Sequence, residues 1–159
     1  MKKIINPYAR ISGYNCFGCS PNNEPGLQME FYEDGEWILS RWKPKPQFHG
    51  YGDILHGGIQ STLLDEISAW VINLKLETAG LTSSIDVKFK KAVHTSEAPI
   101  TIRAKLQEQT RKMATIYGEL LNDTNEVCTI ATVKYFIFSE NVAREKLYYP
   151  GIHAFYEQP

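Results

Sequence analysis

Between Ile59 and Leu76 the chain contains neither glycine nor proline, and Leu63, Leu64, Ile67, Val71 and Leu74 recur at the spacing of one helical face. The remaining apolar residues from Leu27 to Phe138 form shorter, strand-like runs. These are Leu27 to Phe31, Trp37 to Trp42, Ile85 to Phe89, Ile100 to Leu106, Met113 to Leu121 and Val127 to Phe138. Asp34-Gly35, between the first two, is a hairpin signal. In the third, Val87 and Phe89 alternate with Asp86, Lys88 and Lys90, the pattern of a sheet covered on one side. One long helix against a mostly antiparallel sheet, an α+β architecture, is the expected fold class.

The start of that helix carries chemistry. Ile54-Leu55-His56-Gly57-Gly58-Ile59 ends in two glycines, which let a ligand approach the backbone closely, and the first N–H groups of a helix have no intrahelical partner. Free amides at the positive end of a helix dipole suit an oxygen on which negative charge develops, and Gly58 is the expected donor. Asp65 falls with Ser61, Thr62, Ser68, Ala69 and Ile72, away from the apolar stripe, on a small and mostly hydroxylated face that suits a groove. A carboxylate there can activate water or attack a carbonyl. Glu66 projects about 100° further round, near Leu63 and Trp70, where a structural or rim role is expected. Gly58 and Asp65 stand about 10 Å apart along the helix axis, too far to meet on one carbonyl. Two such helices running antiparallel across a two-fold axis would bring the start of one to the acid of the other.

The run Gly50 to Glu66, with His56-Gly57-Gly58 and Leu64-Asp65-Glu66 in register, resembles the hotdog-fold acyl-CoA thioesterases of the phenylacetyl-CoA thioesterase type. Leu81-Thr82 through Val87-Lys88-Phe89 resembles their central strand, and the likeness extends loosely over residues 14 to 138. The resemblance implies a hotdog fold, an antiparallel sheet wrapped around one long central helix. It also implies hydrolysis of a small or medium acyl-CoA without a cofactor, by a homodimer or a dimer of dimers. By that likeness Gly58 polarises the thioester carbonyl and Asp65 of the partner subunit acts as base or nucleophile. His56 orients the loop and the thioester, and Thr82 brings a hydroxyl near the acid. Gly57, His49, Gly50 and Ser61 are candidate substrate contacts. Lys88, Lys90 and Lys91, with Arg111-Lys112 at a hairpin, are candidates for the phosphates of coenzyme A. Two positions depart from the pattern: Lys91-Ala92-Val93 replaces Lys-Pro-Val, and Gly50 stands where some relatives hold water with an amide side chain. The alternatives are a noncatalytic acyl-CoA-binding module, which would not need Asp65, and a hydratase or dehydratase, which would pair a His with the acid.

With 159 residues, 43% hydrophobic and 22% charged, the chain suits one globular domain. The expected division is an N-terminal segment 1–26, a hotdog domain 27–138 and a tail 139–159 too aromatic to be a free end. A net charge of −1 without a dense Lys/Arg run argues against a nucleic-acid partner. No stretch resembles a signal peptide or a bilayer span, so a cytoplasmic location and no membrane partner are expected. Cys16, Cys19 and Cys128 are too few for a disulfide framework. Cys16-Phe17-Gly18-Cys19 could be half a zinc site, but no second Cys pair or nearby His pair completes four ligands, so it reads as a structural loop and no metal is expected. Hotdog relatives with a similar run, matched here by Cys16, Cys19, Asn22 and Gly26-Leu27, agree with the loop reading. His94 and His153 read as surface residues.

Overall fold

The computed structural model describes residues 1–95 and 98–156. In chain order it contains β1 (Lys2–Lys3), β2 (Tyr32–Asp34), β3 (Trp37–Trp42), α1 (Gly57–Lys75), β4 (Gly80–Phe89), β5 (Ile100–Gln109), β6 (Met113–Leu121), β7 (Val127–Ile137) and α2 (Glu140–Lys146). The strands form one sheet in the order β1-β2-β3-β5-β6-β7-β4, with every neighbouring pair antiparallel. Helix α1 lies against strands β3 to β7. This is the hotdog arrangement, a long helix packed against an antiparallel sheet.

The apolar stripe of α1 does what its spacing requires. Leu63, Leu64, Ile67, Val71 and Leu74 are all buried, and each such side chain contributes about 2 kcal/mol of transfer free energy. The buried arc is wider than that stripe, because Ser68, Trp70, Ile72 and Asn73 are buried too. The extra cover comes from outside the sheet: Phe31 stacks on Trp70 with ring centroids 4.2 Å apart, and Phe155 of the tail meets the same ring edge-on. The tail packs through Ala143, Tyr149 and Phe155; its residues 157–159 lie outside those described.

Three expectations about strands need correction. Leu27 to Phe31 is buried but is no strand of the sheet; the Leu27 and Met29 amides donate instead to the carbonyls of Phe17 and Gly18 in the cysteine loop. Strand β4 begins at Gly80 instead of Ile85. And β4, likened to a central strand, lies at the edge of the sheet in a single chain, paired only to β7. The resemblance already took in Leu81-Thr82, but the apolar alternation alone begins at Ile85, because the register shifts between Thr82 and Ser84. Such a bulge breaks the two-residue alternation and places Thr82 on the helix side together with Ile85, Val87 and Phe89, as their partners Tyr135, Val133, Ala131 and Thr129 are buried.

Candidate active site

The loop before α1 is held from both sides. The Gly50 amide donates to the Ile54 carbonyl at 2.7 Å, the His56 amide to Phe48 at 3.0 Å and the Leu55 amide to Val93 at 2.8 Å. Gln60, buried in the first turn of the helix, donates from Nε2 to the Leu55 carbonyl at 2.9 Å and accepts from Thr129 Oγ1 at 2.6 Å. It ties the loop to β7 through two buried bonds, a role its polarity alone did not reveal. The approach of His56 to Gly50 is close: a Cβ at Gly50 would lie 3.2 Å from His56 Cα.

The helix start is not wholly unprotected, and this corrects one expectation. His56 is its N-cap, and the Gly58 N–H donates to His56 Nδ1 at 2.9 Å. A ring nitrogen that accepts carries no proton, so the exposed imidazole keeps its proton on Nε2 and can donate outward. The amides of Gly57 and Ile59 have no acceptor among the described residues, and Gly57 packs against Phe89: a Cβ there would meet Phe89 Cζ at 3.4 Å. Ser61 and Thr62 turn their hydroxyls back onto the carbonyls of Gly57 and Gly58 at 2.9 Å each.

Asp65 sits half-buried, two turns along α1, against the sheet edge. Thr82 Oγ1 donates to its Oδ1 at 2.9 Å, and Tyr135 Oη donates to the same oxygen at 2.5 Å and to the Asp65 carbonyl at 2.7 Å. Burial raises the Tyr135 phenol far above its ordinary range, so it stays a donor. Oδ1 is thereby fixed, while Oδ2 has no hydrogen-bond partner among the described residues. Thr82 was expected here; Tyr135 was not, because it lies inside an apolar run and reaches the acid only through its register opposite Thr82. Within the chain, His56 and Asp65 share no hydrogen bond: His56 accepts from the Gly58 N–H, and Asp65 accepts from Thr82 and Tyr135.

The remaining candidates lie at two ends of β4 and on the loop. Lys90 and Lys91 line a small groove with Gly57, Gln60 and Phe89, while Arg111 and Lys112 line another at the far end of β4 with Leu81 and Phe136. Lys91 pairs with Glu126, and Lys88 is exposed on β4. His49 is held at 2.6 Å by Thr95 Oγ1 on the loop side.

Of the structural or rim role expected of Glu66, its contacts fit the structural one. Its carboxyl lies under the cysteine loop, with Cys16 Sγ at 3.6 and 3.7 Å from its two oxygens and Trp70 Nε1 at 3.2 Å. Burial raises that carboxyl to about 7, while hydrogen bonding from Cys19 holds the Cys16 thiol down to about 5. All three cysteines are free thiols.

The sequence profile of the thioesterase superfamily matches residues 52–129, which span the loop, α1 and the strand that carries Thr82. Over those residues, 78 of the 159, the chain is similar to that superfamily. A hotdog thioesterase of this kind is a thioester hydrolase by class. A thioesterase from Haemophilus influenzae superposes with a TM-score of 0.63 at 17% identity, over 71% of this chain and 80% of that one. A hypothetical thioesterase from Streptococcus pneumoniae, solved with coenzyme A, gives 0.63 at 23% identity over 70% and 90%. The PaaI protein from the phenylacetic acid degradation operon of Escherichia coli gives 0.65 at 16% identity over 72% and 82%. At these identities the likeness is one of fold. A comparison with curated proteins found no match. Among the described residues no helix is long and apolar enough to cross a membrane.

Proposed function

We propose that the protein hydrolyses small or medium acyl-CoA thioesters at two equivalent sites, each shared between two chains. The observation that carries this reading is the pair of hydroxyls on one oxygen of Asp65, which fixes a carboxylate at the edge of the sheet with its second oxygen uncommitted among the described residues. Asp65 then takes a proton from water as that water adds to the thioester carbonyl, or attacks the carbonyl itself to give an acyl anhydride that water afterwards hydrolyses to free acid and Asp65. The developing oxyanion is held by the Gly57 N–H, and by that of Gly58 when the His56 ring turns away. Collapse of the tetrahedral intermediate expels the coenzyme A thiolate, a good leaving group, so no stronger base is required.

Sharing follows from direction. Helix α1 runs antiparallel to β4, with Gly57 against Phe89 and Asp65 against Thr82. Edge strand β4 has no second neighbour among the described residues of the chain and leaves Ile85 and Phe89 exposed on its helix side. Antiparallel pairing with a second β4 about a two-fold axis would close that edge. It would set the Phe89 end of one strand, with its Gly57, opposite the Thr82 end of the other, with Asp65 of the partner subunit. The same operation gathers Lys90 and Lys91 with the partner's Arg111 and Lys112, which lie about 30 Å apart along one strand. That is a cationic rim for the nucleotide phosphates. The free thiols fit a reducing compartment, and we place the protein in the cytoplasm.

A hydrolysis screen over short, medium, long and aromatic acyl-CoAs tests the reading. Turnover of short, medium or aromatic thioesters ahead of long ones is expected; a folded protein that cleaves none of them contradicts it. For the carrier, Lys90→Ala with Lys91→Ala should raise KM for acyl-CoA about 10-fold, with kcat nearly unchanged. The Lys91 pair with Glu126 is exposed and exchanges easily for a phosphate. A bare pantetheine thioester should be nearly indifferent to the change. Equal effects on both substrates would show that these lysines do not read the nucleotide.

A further inference from the structure

We propose that Cys16, Cys19 and Glu66 form a zinc site, with two thiolates and one carboxylate as protein ligands and a fourth position open to the adjoining cavity. The sequence offered only the two cysteines. The fold adds Glu66 from α1, and the donor atoms of the three residues all lie within 4.8 Å of one another. A divalent ion can draw three such groups together with small side-chain rotations.

The loop is built to hold that position. The Ser20 amide closes it onto the Cys16 carbonyl at 3.1 Å, and Leu27 and Met29 anchor Phe17 and Gly18 at 2.7 and 2.9 Å. Gly18 is where the loop comes down on the acid: a Cβ there would lie 2.4 Å from Glu66 Cδ and Oε2, so any side chain would displace the carboxyl. The donor set is also short of positive charge. Glu66 receives one N–H, from Trp70, and two thiols crowd it, while the cavity of about 540 Å³ beside them includes no Lys, Arg or His in its lining. A half-buried acid with neither a cation nor a full set of donors among the described residues is costly, and a bound divalent ion supplies what is missing.

The chemistry of the donors selects the ion. Two sulfurs and one oxygen favour zinc over magnesium or calcium, which take oxygen ligands. Three protein ligands leave one tetrahedral position, which faces the cavity lined by Tyr14, Asn15 and Asn73 and takes water or a small anionic ligand. Binding replaces the thiol protons, and the carboxyl proton where present, with one Zn²⁺ and releases them to solvent. Because Glu66 follows Asp65 directly in α1, the ion would pin the N-terminal loop to the helix that carries the acid, without touching the oxygens that Thr82 and Tyr135 hold.

The test uses the reduced full-length protein, stripped with chelator and titrated with Zn²⁺ against a chromophoric zinc indicator, and separately with Co²⁺. One Zn²⁺ per chain and a near-ultraviolet thiolate-to-cobalt charge-transfer absorption are expected, with a higher Tm for the loaded protein. Glu66→Gln and Cys19→Ser should each weaken Zn²⁺ at least about 100-fold, the upper end of what a change outside the ligand set costs. Cys128→Ser should leave binding alone. Absence of the cobalt charge-transfer band in the wild-type protein overturns the proposal whatever the variants do. So does Zn²⁺ affinity that survives Glu66→Gln unchanged. None of these readouts depends on thioester hydrolysis, so the site stands or falls apart from the catalytic reading.

Discussion

Replacing Asp65 with Asn lowers kcat for thioester hydrolysis by about 100-fold or more, the usual effect of losing a catalytic acid or base. The change is isosteric, and the amide oxygen of Asn still accepts from Thr82 Oγ1 and Tyr135 Oη, so the helix and the sheet edge keep their contacts. What disappears is the uncommitted carboxylate oxygen. Substrate affinity should therefore change little, because the amides at the helix start and the cationic rim are untouched. Steady-state kinetics and thioester binding measured on the same preparation check both halves. Turnover within a few fold of wild type would remove Asp65 from the mechanism.

The second large effect belongs to the edge strand. Ile85 is 38% exposed in the single chain, so Ile85→Lys leaves that chain's own packing nearly intact. In the proposed dimer the same position is covered on the helix side, and an unpaired ammonium there costs about 3 kcal/mol or more. Dimer dissociation should rise by over ~100-fold and activity should fall with it. Light scattering coupled to gel filtration, run beside the activity assay, reads both. A variant that is monomeric and fully active would contradict the shared site.

Much of this architecture is legible from side-chain order because local chemistry dictates it. Helix α1 announces itself through Leu63, Leu64, Ile67, Val71 and Leu74, and its start through the two glycines. The turn at Asp34-Gly35 becomes a hairpin with Gly35 at φ 60°, and Trp37–Trp42 emerges as a strand along its whole length. Asp65 was legible because its helical face is small and hydroxylated. What escaped depends on residues far apart in sequence. Tyr135 meets Asp65 only through the register of β7 against β4, and the bulge between Thr82 and Ser84 hides the start of that strand from the apolar alternation. Glu66 finds Cys16 across a loop closure that no periodicity reports. The buried run Leu27 to Phe31 has the composition of a strand, yet its amides go to the cysteine loop, since tertiary contact decides which partner an extended segment takes. His56 changes the reading of the helix start in a similar way. Its ring occupies the Gly58 amide that composition alone left free, and so shifts attention to Gly57.

The shared site itself is tested most directly by mixing two inactive variants, Asp65→Asn and Gly57→Pro. Gly57 is the first residue of α1, where proline is tolerated, and His56 before it already has the extended conformation that proline demands, at φ −55° and ψ 132°. The substitution thus deletes one N–H and keeps the helix. Each variant alone should be nearly inactive. A heterodimer joins the intact Gly57 of one chain to the intact Asp65 of the other in one of its two sites, so random re-pairing should restore roughly a quarter of the wild-type sites. Recovery of activity to that level is the result predicted; heterodimers that form and fold yet remain inactive would show that each chain uses its own Gly57 and Asp65, or neither.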